Sequence, residues 1–248
     1  MAPIRSYHRP VSLDATFALL DRDDADIALL AGGTALNAGL AGAPAEVVDL
    51  QSLGLDGISL RGDHLTVGSM VRLRDLIEHP ATPRLVAAAA KREGPNTYRN
   101  AATVGGVVAS RDPESELLAA LLVHEALVSV ARPDGSQDQP LETILGKPGS
   151  LSGGVITDVR IATDGTGHIE RTGRTPADRS IVAAVGRRTE GGLEWLALTG
   201  VAPAPVLIDD PADLEHEPPG DFRGSSEYRR ELAGILGTRV LDFLRGVS

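Results

Sequence analysis

Cysteine is absent from this chain, so no disulfide framework, thiolate zinc site or iron–sulfur ligation can arise from it. Aromatic residues are scarce at 3%, with one Trp, three Tyr and three Phe. That excludes an oligonucleotide-stacking surface, and any flat cofactor ring must lie mainly on aliphatic and backbone surfaces. No apolar run reaches the length of a membrane span. The opening stretch, Met1 to Pro10, lacks the apolar core and cleavage pattern of a signal peptide, and a cytoplasmic location is expected. Net positive charge is missing too. The formal charge of −10 argues against nucleic acid and means that an anionic ligand must be held by local N–H donors against the overall field.

Several catalytic signatures are also missing. There is no G-x-G-x-x-G fingerprint, no P-loop, no H-E-x-x-H spacing and no G-x-S-x-G elbow. The six histidines are scattered, read as surface or core residues, and no metal site is expected. The runs Arg187-Arg188 and Arg229-Arg230 read most simply as solvated charge. Glu114 and Glu116, at a helix start, are explained as well by the helix macrodipole as by acid–base chemistry.

What is present is a globular composition, 42% hydrophobic and 23% charged over 248 residues, sufficient for one or two domains with a large core. Ser12 reads as an N-cap for a short helix. Ile27 to Leu30, a helix start over Thr34 to Leu40, and Val47 to Leu50 form a small βαβ pattern. Ile58 to Arg61 and His64 to Ser69 flank Gly62-Asp63 as a hairpin. Helices are predicted over 72–78 and 83–92, ended by Gly94-Pro95-Asn96, with a buried helix over 117–123 and strands over 126–131 and 155–161. The composition changes after residue 163. A second hairpin over 181–188 and 193–201 follows, then an acidic, proline-rich linker over 209–220 and a helix over 226–244, with a bend expected at Gly234 or Gly237.

Two glycine-centred loops stand out. Leu29, Leu30, Ala31, Gly32, Gly33, Thr34, Ala35 and Leu36 make the first; Thr103, Val104, Gly105, Gly106 and Val107 lie at the heart of the second. Either pair alone is an ordinary tight turn. Each, however, has two glycines beside a Thr and adjoins an apolar run, and glycines let a backbone approach a ligand and aim successive N–H groups at an anion. Two such loops converging on one site can hold a diphosphate from both sides, as a dinucleotide cofactor needs.

With their surroundings these loops resemble the FAD-binding medium subunits of molybdenum hydroxylases, the carbon monoxide dehydrogenase and xanthine dehydrogenase family. The matching pieces are Tyr7-His8-Arg9-Pro10, Leu30-Ala31-Gly32-Gly33-Thr34, Val48-Asp49-Leu50, Leu65-Thr66-Val67-Gly68-Ser69, Asn100 to Gly106, Leu117 to Leu122, Gly200 to Pro205 and Ser226 to Ala233. The resemblance implies a mixed α/β, α+β fold: an FAD-binding domain over 1–165, made of two α/β subdomains (about 1–54 and 55–165), then a C-terminal domain over 166–248 with a small antiparallel sheet and a helical bundle. It implies partners: a molybdopterin-binding large subunit and a small subunit carrying two [2Fe–2S] clusters, assembled as a dimer of heterotrimers. The cysteine-free composition fits that division. The flavin subunit would relay electrons to NAD, a quinone or oxygen.

Carried over by position, Leu29 to Leu36 would wrap the diphosphate, Thr103 to Gly106 would supply a second set of N–H donors, Ile156 would touch the flavin ring, and Arg171 falls near a basic position. Two departures stand out. Val107 occupies a place where the family usually has Asn, and Glu116 one where it usually has Asp meeting cofactor hydroxyls. The alternative reading is an FAD-free structural subunit of the same kind of complex. A stand-alone flavoprotein reductase is disfavoured, because the flavin-binding fold uses most of the chain.

Overall fold

The computed structural model describes residues 4–22, 26–38, 46–175 and 178–247. Within them the strands form three sheets. The first is parallel, with β1 (Ser6–His8), β2 (Ile27–Leu30) and β3 (Glu46–Asp49) in the order β1-β3-β2. Helix α1 (Leu13–Leu20) leads from β1 towards β2, and Ser12 caps it by accepting from the Ala15 N–H at 3.2 Å. Between β2 and β3 lies α2 (Thr34–Asn37), so the expected βαβ unit is present. The end of its expected helix, residues 39 and 40, lies outside the described residues.

The second sheet is antiparallel and five-stranded. It contains β4 (Ile58–Arg61), β5 (His64–Gly68), β6 (Leu127–Arg132), β7 (Gly135–Pro140) and β8 (Val155–Ala162), in the order β4-β5-β8-β6-β7. Arg61 pairs with His64 across the two-residue turn, where Gly62 takes a φ of 60° that suits glycine. Helices α3 (Leu73–Glu78), α4 (Arg84–Arg92), α5 (Asn96–Arg99), α6 (Val104–Ser110), α7 (Glu116–Val123) and α8 (Leu141–Gly146) are interleaved with these strands. The break expected at Gly94-Pro95-Asn96 is present: α4 ends at Arg92, and Pro95 then serves as the N-cap of the short α5. A proline fits there, where no intrahelical N–H bond is lost.

The third sheet is β12-β11-β10-β9, comprising β9 (Thr166–Thr172), β10 (Val182–Arg188), β11 (Glu194–Thr199) and β12 (Val206–Leu207). Strand β10 is buried on both faces. Alternation sends Val182, Ala184 and Gly186 towards the C-terminal helix α9 (Ser226–Arg245) and Val185 towards α7. Gly186 lets α9 come close: a Cβ there would lie 2.4 Å from Val240. Helix α9 runs unbroken through Gly234 and Gly237, and Gly237 instead makes room for the Pro211 ring. One core cluster joins α7 and the second sheet to Val185 and Ala197 of the third and to Ala204 in the β11–β12 loop. Packing is therefore continuous through residue 165.

The two arginine runs correct the reading as solvated charge. Arg187 and Arg229 are almost wholly buried. Arg187 donates to the Val123 carbonyl at 2.9 Å and to Asp164 O at 3.0 Å, and pairs with Glu125 and Asp164. Arg229 donates to the Ile181 and Gly200 carbonyls and pairs with Asp221 at 2.8 Å. A guanidinium has enough donors to satisfy orphan carbonyls where three segments meet; neighbours face opposite ways on strand β10 and about 100° apart on helix α9, so only one of each pair need be exposed.

Glu93, just beyond α4, is buried and caps α7 jointly with Ser115. One of its oxygens accepts from Ser115 Oγ at 2.7 Å and from the Leu117 N–H at 2.9 Å. Burial raises its carboxyl above the ordinary value, with those two hydrogen bonds opposing. A raised folded-state value means that stability is greatest below the ordinary 4.5 and falls as pH rises through the folded value. Glu93→Gln keeps the accepting oxygen and removes the charge. Urea denaturation of this variant is expected to show a flatter pH dependence above 4.5, with stability at neutral pH within about 1 kcal/mol of the parent or above it.

Candidate cofactor site

Strand β2 ends in Leu30, and the chain turns through Ala31, Gly32 and Gly33 into α2. Gly33 sits in the left-handed region at φ 72°, which costs glycine little. The two glycine segments touch directly: a Cβ on Gly32 would lie 1.9 Å from the Ala101 carbonyl oxygen. The Tyr98 hydroxyl reaches Thr34 from the same side, and burial followed by the Glu93 charge raises its pKa. Between the segments lies a cavity of about 660 Å³, within the usual range for a bound small molecule.

Of the residues singled out in the sequence, Leu29 to Leu36, Thr103, Gly105, Gly106, Val107 and Ile156 line this cavity. Ile156, with Leu30, Met70 and Leu151, supplies aliphatic wall, as the shortage of aromatics requires. Val104, Glu116 and Arg171 are not part of the lining. Val104 points into the core at 1% exposure. Glu116 is buried and pairs with Arg171 at 2.8 Å, with Arg92 at 3.6 Å beside its other oxygen.

The donors are divided differently from the sequence expectation. The second glycine segment is the first turn of α6, with Thr103 as N-cap, not a loop. Its N–H groups are spent inside the protein: Val104 on Val71 O at 2.9 Å, Gly105 on Ser69 O at 2.8 Å, Gly106 on Thr103 Oγ1 at 3.1 Å and Val107 on Thr103 O at 3.0 Å. Gly105 is needed because a Cβ would lie 2.6 Å from that of Ser69. The first segment behaves oppositely. The N–H groups of Gly33, Thr34, Ala35 and Leu36 meet no acceptor among the described residues, as the opening turn of a helix leaves them. Free backbone amides are thus offered by one of the two lining segments, not both.

Ser69 belongs to one of the matching pieces but was not among the expected cofactor residues. It lines the cavity, and its Oγ is buried and has no hydrogen-bond partner. A buried hydroxyl is rarely left unpaired without a ligand or water to meet it. The only sequence signal was its place directly after the β5 strand and its glycine. Tyr98 and Asp112 also line the cavity, and Asp112 is the one charged residue in the lining among the described residues. A lining that combines free amides, a residue with an unpaired hydroxyl and aliphatic side chains suits a cofactor with a phosphate portion and a flat ring.

Fold and cavity together suit a protein of the nucleotide-cofactor-binding class. The chain belongs to the family described as the FAD binding domain in molybdopterin dehydrogenase, which matches residues 2–163. It is 28% identical to the carbon monoxide dehydrogenase medium chain of Hydrogenophaga pseudoflava, with 98% of each chain covered. It is 27% identical to the medium chain of the same enzyme from Afipia carboxidovorans, with 95% of each covered. Among solved structures, carbon monoxide dehydrogenase from Hydrogenophaga pseudoflava superposes with a TM-score of 0.89 at 27% identity, covering 100% of this chain and 99% of that one. The chain is accordingly an FAD-binding oxidoreductase subunit with the medium-chain fold. Among the described residues no helix is long and apolar enough to cross a membrane, and no group of three or more acidic, His or Cys side chains is placed to hold a metal.

Proposed function

We propose that this chain is the electron-relaying flavoprotein subunit of a heteromeric molybdenum hydroxylase. The observation that carries the reading is the row of free amides at Gly33 to Leu36, in a segment that lines the same cavity as Ser69 with its unpaired hydroxyl. When bound, FAD supplies the redox chemistry, accepting electrons and passing them on. This chain's residues supply position. The amides from Gly33 to Leu36 hold the diphosphate, and Leu29 to Gly32 shape its approach. Ser69 and Thr103 bond the adjoining groups, and Ile156 packs against the ring. Val104 acts only through the core. Glu116 and Arg171 act as a pair that fixes the start of α7.

The absence of cysteine supports [2Fe–2S] clusters on a small partner subunit, and the molybdopterin site belongs to a large one. Electrons enter from those clusters and leave to an external acceptor such as NAD, a quinone or oxygen. A dimer of heterotrimers in the cytoplasm is the assembly that fits this role. The three sheets support a division into subdomains at about 1–54 and 55–165 and a C-terminal domain over 166–248. Val107, an apolar side chain in the cavity wall, is the one observation favouring an FAD-free structural subunit instead.

Purification of the complex from cells co-expressing this chain with its large and small subunits tests the proposal. The expected result is the absorbance spectrum of oxidised flavin, with one FAD released per copy of this chain on denaturation. Flavin-free complex, even after incubation with excess FAD, would leave the structural reading standing.

A further inference from the structure

Resting on the reading that FAD fills this cavity, we infer that Asp112, not Glu116, is the carboxylate that accepts hydrogen bonds from the cofactor's sugar hydroxyls. Asp112 lines the cavity. Its side chain keeps 31% exposure, against 4% for that of Glu116. Glu116 lies outside the lining; one of its oxygens is held by Arg171 at 2.8 Å, and the other, 3.6 Å from Arg92, is buried and makes no hydrogen bond, so neither is presented to the cavity. The hydroxyl-meeting role that resemblance attaches to Glu116 therefore moves four residues upstream.

Asp112 is held, not floppy. Arg111 ends α6 with a φ of 49°, an uncommon value for a side-chain-bearing residue, and turns the chain into the segment 112–116. That segment is tied to residues beyond 165 at four successive points. Arg179 pairs with Asp112 at 2.7 Å. The Gly200 N–H donates to the Pro113 carbonyl at 2.7 Å. Arg223 donates to Glu114 at 3.1 Å, and Arg171 pairs with Glu116 at 2.8 Å. Asp112 further accepts the Glu114 N–H at 3.0 Å. These contacts use one site on each carboxylate oxygen, and each oxygen has a second lone pair to offer. A carboxylate is a strong acceptor for a hydroxyl and repels a phosphate, so its place is against the hydroxyl-bearing part of the nucleotide and away from the diphosphate at α2. Arg179 is the positioning residue that fixes it.

The vicinal hydroxyls in question can belong to the ribityl chain or to the adenosine ribose, and ligands of different extent distinguish them. Binding of FAD, riboflavin and lumiflavin to the flavin-stripped full complex is measured for the parent and for Asp112→Ala by fluorescence quenching. The expected result is an FAD Kd raised about tenfold or more, with lumiflavin, which has the ring but no hydroxyls, unchanged. A parallel loss with riboflavin assigns the ribityl hydroxyls, and a loss confined to FAD assigns the ribose. Arg179→Gln, which leaves the carboxylate in place but unanchored, is expected to give a smaller loss in the same direction. An unchanged FAD Kd in Asp112→Ala overturns the inference. So does an equal loss for all three ligands, which marks Asp112 as merely structural. Parent complex that binds no flavin refutes the underlying function instead.

Discussion

Gly32→Ala is expected to lower FAD affinity at least about a hundredfold while leaving most of the protein folded. The added Cβ would meet the Ala101 carbonyl oxygen at 1.9 Å, its carbon at 2.7 Å and Ala102 Cα at 3.1 Å. All three are backbone atoms, so no rotamer change relieves the collision and one segment must move by more than an ångström. The segment that moves most readily is the one carrying the free amides, because its strand β2 and helix α2 are only four residues each. Hydrogen bonds to a charged group are worth about 1.5–3 kcal/mol each, so misplacing two of them removes about 3 kcal/mol or more, a factor of a hundred or above. The second and third sheets do not pass through this contact. Far-UV circular dichroism should therefore stay close to the parent, with a stability loss of about 1–3 kcal/mol. Gly33→Ala, strained at φ 72° by about 1–2 kcal/mol, is a milder control. An FAD titration of Gly32→Ala within threefold of the parent would mean that the two segments need not touch for binding.

That contact explains both what the sequence disclosed and what it concealed. Gly-Gly beside Thr after an apolar run is a local signal, and it correctly marked where the backbone comes close to something. What the backbone approaches is a long-range fact. For Gly105 it is Ser69, and for Gly32 it is Ala101, not the ligand in either case. The second segment therefore looked like a phosphate loop but is a helix start whose amides are already used. Strand β7, Gly-Ser-Gln-Asp-Gln-Pro, carries no apolar alternation because it is an exposed edge strand, and it exists through its pairing with β6. Strand β9 was hidden in the same way, in a stretch rich in Gly, Thr and Arg. The N-cap Ser12, the Gly62-Asp63 hairpin and the long α9 were legible because their causes are local. Arg187, Arg229 and the Glu116–Arg171 pair were not, since a charge looks solvated until its partners, distant in sequence, are known.

Acid is expected to weaken the junction between α7 and the second sheet through one residue, His124. It follows α7 directly, is 3% exposed, and has its Nδ1 2.7 Å from the Ala162 carbonyl oxygen, while its own carbonyl accepts the Ala162 N–H at 3.0 Å. The neutral ring with its proton on Nδ1 satisfies that pairing. The second nitrogen, Nε2, has no partner, so a second proton would be buried unpaired. Burial, with the nearby Arg187 charge adding to it and the Ala162 hydrogen bond and Asp164 opposing, lowers the pKa from 6.5 to about 4. A depressed folded-state value means that the stabilisation is fully present above 6.5 and is lost as pH falls towards 4. The depression corresponds to about 3 kcal/mol. His124→Asn places an amide where Nδ1 stands, keeps a donor for Ala162 and cannot titrate. Urea denaturation at pH 7 and at pH 4.5 should show the parent losing about 2–3 kcal/mol more than His124→Asn over that interval. Equal losses in the two proteins would mean that the histidine takes up its proton without disturbing the junction. Carboxylates elsewhere titrate alike in both, so the difference between the two isolates the ring. The FAD cavity and this junction hang on the two ends of α7, through the 112–116 segment at its start and His124 at its end. Flavin release in the parent should therefore accompany the acid transition, and in His124→Asn it should shift to lower pH with it.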